Sequence, residues 1–326
     1  MKTEKHITSI GGQAILEGVM MRGPFKTAMA VRKPDGEIVC KVDENGTKKK
    51  NKFLSLPIIR GCVNFISSLV IGMKAIMFSA EFVDLEDDEE TESKFDKWLE
   101  EKLGDKIKDI VIYVAIALSL VLSVGLFILL PTAIAQGIQS LLKWFGFAKV
   151  ALSGSFLSTV EGIVKLIIFI SYMYLISRTK EIRRVFEYHG AEHKTIACYE
   201  AGEELTVENV RKHTRFHPRC GTSFLLIVMV VSIAIYALLP GFNQYSAIIR
   251  LLLRMGTRIL LLPVVAGLSY EVIKLAGRSN GCARTLTKPG MWLQRLTTLE
   301  PDDSQIEVAI HSMQAVIPED KESDKW

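Results

Sequence analysis

The sequence predicts a mainly α, polytopic membrane protein with about four transmembrane helices and a small cytoplasmic α+β portion that contains a β-hairpin. Three observations carry this expectation. Apolar residues make up 49% of the 326 and gather into blocks long enough to cross a hydrocarbon core. Lys and Arg gather in particular segments between the blocks. Near the start, AMAVR and EIVCKV flank KPDG, where Pro, Asp and Gly each favour a turn between alternating runs. The net charge of +4 places no global demand for nucleic acid. The five cysteines lack the paired spacing of a secreted disulfide scaffold, which points to a reducing compartment. The opening MKTEKHITSIGGQAILEGVMM has no continuous apolar run of the kind a cleaved signal peptide carries.

In chain order, residues 1–56 read as a cytoplasmic motif and hairpin. Gly11 to Pro24 (GGQAILEGVMMRGP) predicts a tight loop with a brief helix, and the Lys-Ser or Lys-Thr pair of a phosphate-binding loop is absent from it. Its polar residues Gln13, Glu17 and Arg22 are candidate site residues. The hairpin over 27–42 follows, then a basic loop at 48–52. Residues 57–109 read as an interfacial helix from Pro57 to Ala80, a solvated acidic linker at 84–92, and an amphipathic helix marked by Phe95, Trp98, Leu99, Leu103 and Ile107. Residues 110–268 hold the four spans: Ile110 to Leu130, about Thr159 to Ser177, Ser223 to Leu239, and about Leu251 to Leu268. Residues 269–317 form a cytoplasmic C-terminal segment, with an acidic helix start at Asp302 and Asp303 and an apolar stripe of Ile306, Ala309, Ile310 and Met313. The charged residues 318–326 predict a disordered tail.

Orientation follows from the basic residues. Residues 1–56 carry eleven Lys and Arg, residues 178–222 carry nine, and residues 131–162 only Lys143 and Lys149. Four spans with both termini in the cytoplasm satisfy this pattern. A crossing by the Pro57 helix would force the basic loop 178–222 outside. Arg250, Arg254 and Arg258 recur along one helix face. Two readings stand: an outer interfacial helix ahead of a span that begins at Ile259, or a polar face that meets a cavity, another protein or anionic lipid.

The stretch from His189 to Cys220 holds four of the six histidines and two of the five cysteines. On a helix, His189 and His193 project from one face, and Glu192 between them completes H-x-x-E-H, the inverted zincin order in which two His bind zinc and the Glu activates water. His217 and Cys220 are further ligand candidates. His189, His193, His217 and Cys220 together would close a structural site around a divalent metal such as zinc. His189 and His193 with an acid from Glu200, Glu203 or Glu204 would leave a catalytic position open. Taken alone, His213 reads as a surface residue, Cys198 as core packing, and Cys40 and Cys62 as unpartnered.

The motifs GGQAILEGVMMRGP, EYHGAEHKTIACYEAG with HPRCGTSFL, and WLQRLTTLEPDDSQIEVAI resemble those of the YqhQ-like family of bacterial membrane proteins, over nearly the whole chain. The resemblance implies a multi-pass inner-membrane protein with a cytoplasmic motif face. The family is a domain of unknown function, sometimes labelled a predicted metal-dependent enzyme. It implies His189, Glu192, His193, His217 and Cys220 as functional residues, with Gln13, Glu17 and Arg22 beside them. Two functions follow as expectations. One is a metal-dependent hydrolase at the membrane surface with Glu192 as the catalytic base. The other is an accessory or scaffold factor for membrane-protein insertion, assembly or transport, with a structural metal, whose basic loops meet an acidic partner such as ribosomal RNA or lipid and whose Arg254 and Arg258 meet another membrane protein.

Overall fold

The computed structural model describes residues 6–45, 56, 58–82, 114, 117–147, 154–242, 244–278 and 288–325. The expected basic loop at 48–52, the acidic linker, the amphipathic helix near Trp98, the start of the first span, Cys282 and most of the GRSNG turn lie outside the described residues. The protein is mainly α and polytopic, with one small antiparallel sheet. It divides into two compact units, Met1–Val83 with Met173–Ser232 and Gly256–Trp326, and Asp84–Tyr172 with Ile233–Met255.

In the first unit, strands β1 (Gly11–Ile15), β2 (Gly18–Arg22), β3 (Lys26–Arg32) and β4 (Ile38–Glu44) form a meander in the order β1-β2-β3-β4. The hairpin β3–β4 lies where KPDG predicts it. The segment Gly11 to Pro24 is a second hairpin, with Ile15 opposite Gly18 and Glu17 in the turn at φ 48°, in place of the expected loop and helix. Its strands are short and β2 is apolar on both faces, so the alternation that marks a half-exposed strand is missing. Side chains alternate across the sheet instead. Val19, Met21, Ala28 and Ala30 face one core, while Ile15, Met20, Met29 and Val31 face another.

Helix α1 (Ile59–Ala80) closes the second of these cores through Ala75, Ile71 and Phe78. The first core is closed by α4 (Lys180–Glu200), α5 (Val207–Lys212) and α9 (Asp303–Gln314), which contribute Tyr188, Ala191, Ile196, Val210 and the predicted stripe Ile306, Ala309, Ile310 and Met313. Asp302 begins α9 with a reciprocal cap: its carboxylate accepts the Gln305 amide at 2.9 Å, and the Gln305 side chain accepts the Asp302 amide at 3.0 Å. Each buried Ile or Met here contributes about 1.5–3 kcal/mol.

Four helices have the length and composition of membrane spans: α1, α2 (Ala117–Trp144), α3 (Gly154–Ile176) and the stretch Ile248–Leu275 within α7 (Ala247–Arg278). The apolar helix α6 (Gly221–Ala237) is shorter, at 17 residues. The span expected to stop at Leu130 continues through Pro131 to Trp144, because Pro131 sits behind a π-helical turn, Gly125–Leu129, that loosens the backbone ladder there. Helix α8 (Lys288–Thr297) follows α7.

The second unit contains Arg254, whose guanidinium donates to Glu161 of α3 at 2.7 Å, while Thr132 of α2 donates to the other carboxylate oxygen at 3.0 Å. Both charges are buried, so the arginine face has an intramolecular partner at Arg254. Arg250 lines a small cavity of about 120 Å³ with Thr132, Gln136 and Gln139, and Arg258 lies one turn beyond Arg254.

Residues 318–325, expected to be disordered, fold back instead. The buried Asp324 carboxylate accepts from Thr8 at 2.6 Å and Tyr199 at 3.0 Å, and it meets His6 Nε2 at 2.6 Å. Composition alone hides this, since one carboxylate with several long-range partners outweighs a charged neighbourhood.

Gly190 in α4 lies against the backbone carbonyl of Leu299, with no room for a Cβ. Leu299 in turn donates to the Phe186 carbonyl at 2.9 Å. Gly190→Ala is therefore expected to destabilise the protein by about 1–3 kcal/mol, read as a lower thermal midpoint in detergent; an unchanged midpoint contradicts this packing.

Candidate metal centre

Helix α4 begins after Thr179, carries Glu181 in its first turn, and places His189 and His193 one turn apart on a buried face. The imidazoles lie edge to face with centroids 4.4 Å apart. Each donates its Nδ1–H to a backbone carbonyl, His189 to Thr297 at 2.7 Å and His193 to Arg215 at 2.6 Å. This fixes both rings and leaves Nε2 as the free ring nitrogen of each, an arrangement typical of metal-bound histidine. Cys220, directly before α6, closes the set. Its sulfur is 3.2 Å from His189 Nε2, and the donor atoms of His189, His193 and Cys220 all lie within 4.8 Å of one another. Ligands of one tetrahedral zinc stand about 3.5 Å apart.

Glu192 lies beside these atoms. Its Oε2 is 3.7 Å from His189 Nε2 and 4.0 Å from His193 Nε2, yet it is buried without a hydrogen-bond partner. Leaving such an oxygen unpaired costs about 1–3 kcal/mol, so it marks a position built for something else. Gly12 in β1 packs against the same side chain. A Cβ at Gly12 would stand 2.9 Å from Glu192 Cγ, so only glycine lets the strand come this close.

The electrostatics fit the geometry. Burial pushes the Cys220 thiol up, but His189 and His193 outweigh it and hold the thiol well below its ordinary value, which favours the thiolate. Burial opposes charge on His189, yet Cys220 and Glu192 raise its pKa to about 9. Burial raises Glu192 above the usual carboxylate range, against the pull of His193 and His189.

The other predicted residues are distributed differently. His217 is near, with its ring centroid 5.6 Å from that of His193, but stands outside the three-ligand group. Its Nε2 accepts from Arg219 at 3.1 Å, and burial, His193 and Arg219 hold it well below its ordinary pKa. Gln294 clamps the His217 backbone at both ends, accepting from its N–H at 2.9 Å and donating to its carbonyl at 2.7 Å. Glu200 pairs with Arg219. Glu17 forms a bidentate pair with Arg184 and accepts from Tyr188 at 3.3 Å, which fastens the β1–β2 turn to α4. Gln13 donates to the Gly72 carbonyl at 3.4 Å. Arg254 and Arg258 belong to the membrane helix α7 and not to this centre. Cys198, Glu203 and His213 make a second, partly exposed group, in which burial raises the Cys198 thiol to about 11. The supporting groups Gly12, Gln294 and the carbonyls of Thr297 and Arg215 carry no sequence signature of ligation.

The centre opens into a cavity of about 680 Å³. One wall is β1 with Arg22, another is α4, and the remainder includes Asn64 and Ser68 of α1, Leu225 of α6 and Tyr270 of α7.

A family model described as "Protein of unknown function (DUF1385)" matches residues 56–319. The uncharacterized protein YqhQ of Bacillus subtilis (strain 168) is 36% identical over 324 residues, covering 97% of this chain and 95% of the relative. No solved structure matches. The resemblance read from the three sequence motifs thus extends over the chain, which belongs to the DUF1385 family, that of YqhQ.

Proposed function

We propose that the protein is a metal-dependent hydrolase at the surface of the bacterial cytoplasmic membrane. The observation that carries the reading is the unpaired, buried Glu192 oxygen beside two imidazoles whose Nδ1 atoms are tied to carbonyls and whose Nε2 atoms converge with a thiolate. Three ligands with a free position and a nearby carboxylate are the components of a catalytic rather than a structural site. His189, His193 and Cys220 would hold a zinc ion, which would supply Lewis acidity and lower the pKa of water there. Glu192 takes the proton from the attacking water and delivers it to the leaving group. The tethers from Thr297 and Arg215 keep the imidazoles from turning, and the cavity walls hold the substrate against the open position. Arg219 occupies the His217 lone pair, which favours the open set over the four-ligand alternative.

This reading also assigns the site to the cytoplasmic face. The sheet, α4 and α9 pack in one folded unit, so an even number of crossings must separate them along the chain. Helices α6 and α7 provide one pair. Of the described helices α1, α2 and α3, we infer that α1 does not cross, since its C-terminal half packs on the sheet. Its N-terminal half is fastened to α7 by Arg60, which donates to Glu271 at 2.8 Å and 2.5 Å. The eleven basic residues of segment 1–56 and the nine of segment 178–222 then share the cytoplasmic side.

Purified protein is expected to hold about one metal ion per chain, read by elemental analysis. His193→Ala and Cys220→Ser are expected to lose it, and Glu192→Gln to retain it. In the cobalt-substituted protein a thiolate-to-metal absorption band is expected and should vanish in Cys220→Ser. Metal content unaffected by both ligand substitutions sinks the proposal.

For topology, Glu90→Cys in a cysteine-free background is expected to resist a membrane-impermeant thiol reagent on intact cells, and a C-terminal green fluorescent protein to fluoresce. Labelling from outside would mean that α1 crosses.

A further inference from the structure

We propose that the substrate is an extended polypeptide segment that docks by adding a strand to the free edge of β1, which carries its backbone to the His189, His193 and Cys220 centre. The inference rests on the hydrolase reading and gives it a substrate class. Strand β1 is the terminal strand of the sheet and pairs only with β2 among the described strands. In a hairpin closed by Ile15 opposite Gly18, the directly bonded pairs recur at Gln13 with Met20 and Gly11 with Arg22. Gly12 and Ala14 therefore turn their amides and carbonyls away from β2. Glu192 lies close to this strand: a Cβ at Gly12 would stand 2.9 Å from its Cγ. The Gly12 and Ala14 amides and carbonyls form a row.

Gly11 through Ala14 all line the cavity that contains His189, Glu192 and Cys220. An open sheet edge is a template for another strand, and proteins ordinarily cover or blunt it. Here it runs along a cavity that ends at the candidate reacting position. A peptide backbone offers amides and carbonyls at the spacing this row requires, and main-chain bonds of this kind provide affinity with tolerance for side-chain identity. A lipid or sugar has no such repeat. Gly12 allows the strand to approach Glu192 closely, so the register that pairs a peptide with Gly12 and Ala14 also sets a peptide carbonyl beside the base. Asn64, Ser68, Leu225 and Tyr270, all from apolar helices, form the opposite part of the cavity, which suits a segment just outside a membrane helix.

The test uses the full-length zinc-loaded protein in detergent and three kinds of probe, followed by calorimetry or by displacement of a fluorescent chelator. The probes are acetohydroxamate, an acetyl-tetraalanyl hydroxamate, and the same peptide with one amide at a time N-methylated. Acetohydroxamate reports the open metal position alone. The tetrapeptide is expected to bind at least ~10-fold more tightly, since each main-chain bond contributes about 0.5–1.5 kcal/mol. Methylation is expected to weaken binding about 10-fold at every second amide and little at those between, because only alternate amides of an added strand face its partner. Ala14→Pro, which removes an edge amide, is expected to abolish this alternation while keeping the bound zinc. If Ala14→Pro does not fold, the methylation pattern alone decides. Equal affinity for acetohydroxamate and the peptide, or a uniform effect of methylation, overturns strand addition and leaves the metal reading standing. Failure of acetohydroxamate to bind overturns the open metal position itself.

Discussion

The centre depends on two hydrogen bonds that leave helix α4, from His189 to the Thr297 carbonyl and from His193 to the Arg215 carbonyl. Neither acceptor lies on α4, so the two imidazoles are aligned only after α8 and the segment before Cys220 have docked. Helix geometry alone puts His189 and His193 on one face, but a free imidazole rotates about its χ angles and offers either nitrogen. The carbonyls remove that choice. They hold Nδ1 as the donor and turn the Nε2 side of His189 to Cys220, whose sulfur lies 3.2 Å away. The packing that delivers Thr297 includes the close approach of Gly190 to Leu299, two residues further along.

Glu192 explains why this arrangement is more than a well-ordered cluster of buried histidines. A structural core satisfies its polar atoms, and in the same neighbourhood His217, Gln294 and Ser223 do so thoroughly. Only the Glu192 oxygen that faces the cluster lacks a partner among its immediate neighbours. A hydrogen-bond donor held beside His189, His193 and Cys220 would satisfy it. Arg219 acts in the opposite sense on His217, since a guanidinium can only donate and so consumes the lone pair that a fourth ligand would need.

The sequence exposed the centre more readily than its supports. His189, Glu192 and His193 are legible because helical spacing is short-range information, and Cys220 because cysteine is scarce. Helix α9 is legible for the same reason, through its cap at Asp302 and its stripe of Ile306, Ala309, Ile310 and Met313. The β1–β2 hairpin is not, because β2 is buried on both faces and GVMMR has no alternation. Glu17 looked chemical by its place in a glycine-rich motif, but its partner is Arg184, some 167 residues away. Arg254 announced the need for a partner, whereas Glu161 stood unnoticed in an apolar helix 93 positions earlier. The folded-back tail escaped for a like reason: Asp324 meets Thr8 across the length of the chain. For Glu17, Arg254 and Asp324 the deciding contact is distant in sequence.

The place of Cys220 adds a constraint on how such a centre works. It precedes the first residue of α6, so a candidate metal ligand and the start of an apolar helix are one continuous piece of backbone. Ser223, in the first turn of that helix, is held by Gln294 at 3.2 Å and packs so closely on Gly290 that a Cβ there would stand 2.6 Å from its side chain. Gln294 also clamps His217, and its own helix ends at Thr297, the acceptor for His189. A tilt of α6 would therefore displace Cys220 relative to His189 unless α8 moved with it. Gln294 and Gly290 tie α8 to α6 beside Cys220, so the two segments that position His189 and Cys220 are packed on each other. This accounts physically for an otherwise puzzling combination, a three-residue site drawn from two distant segments with the thiolate at the very edge of an apolar helix.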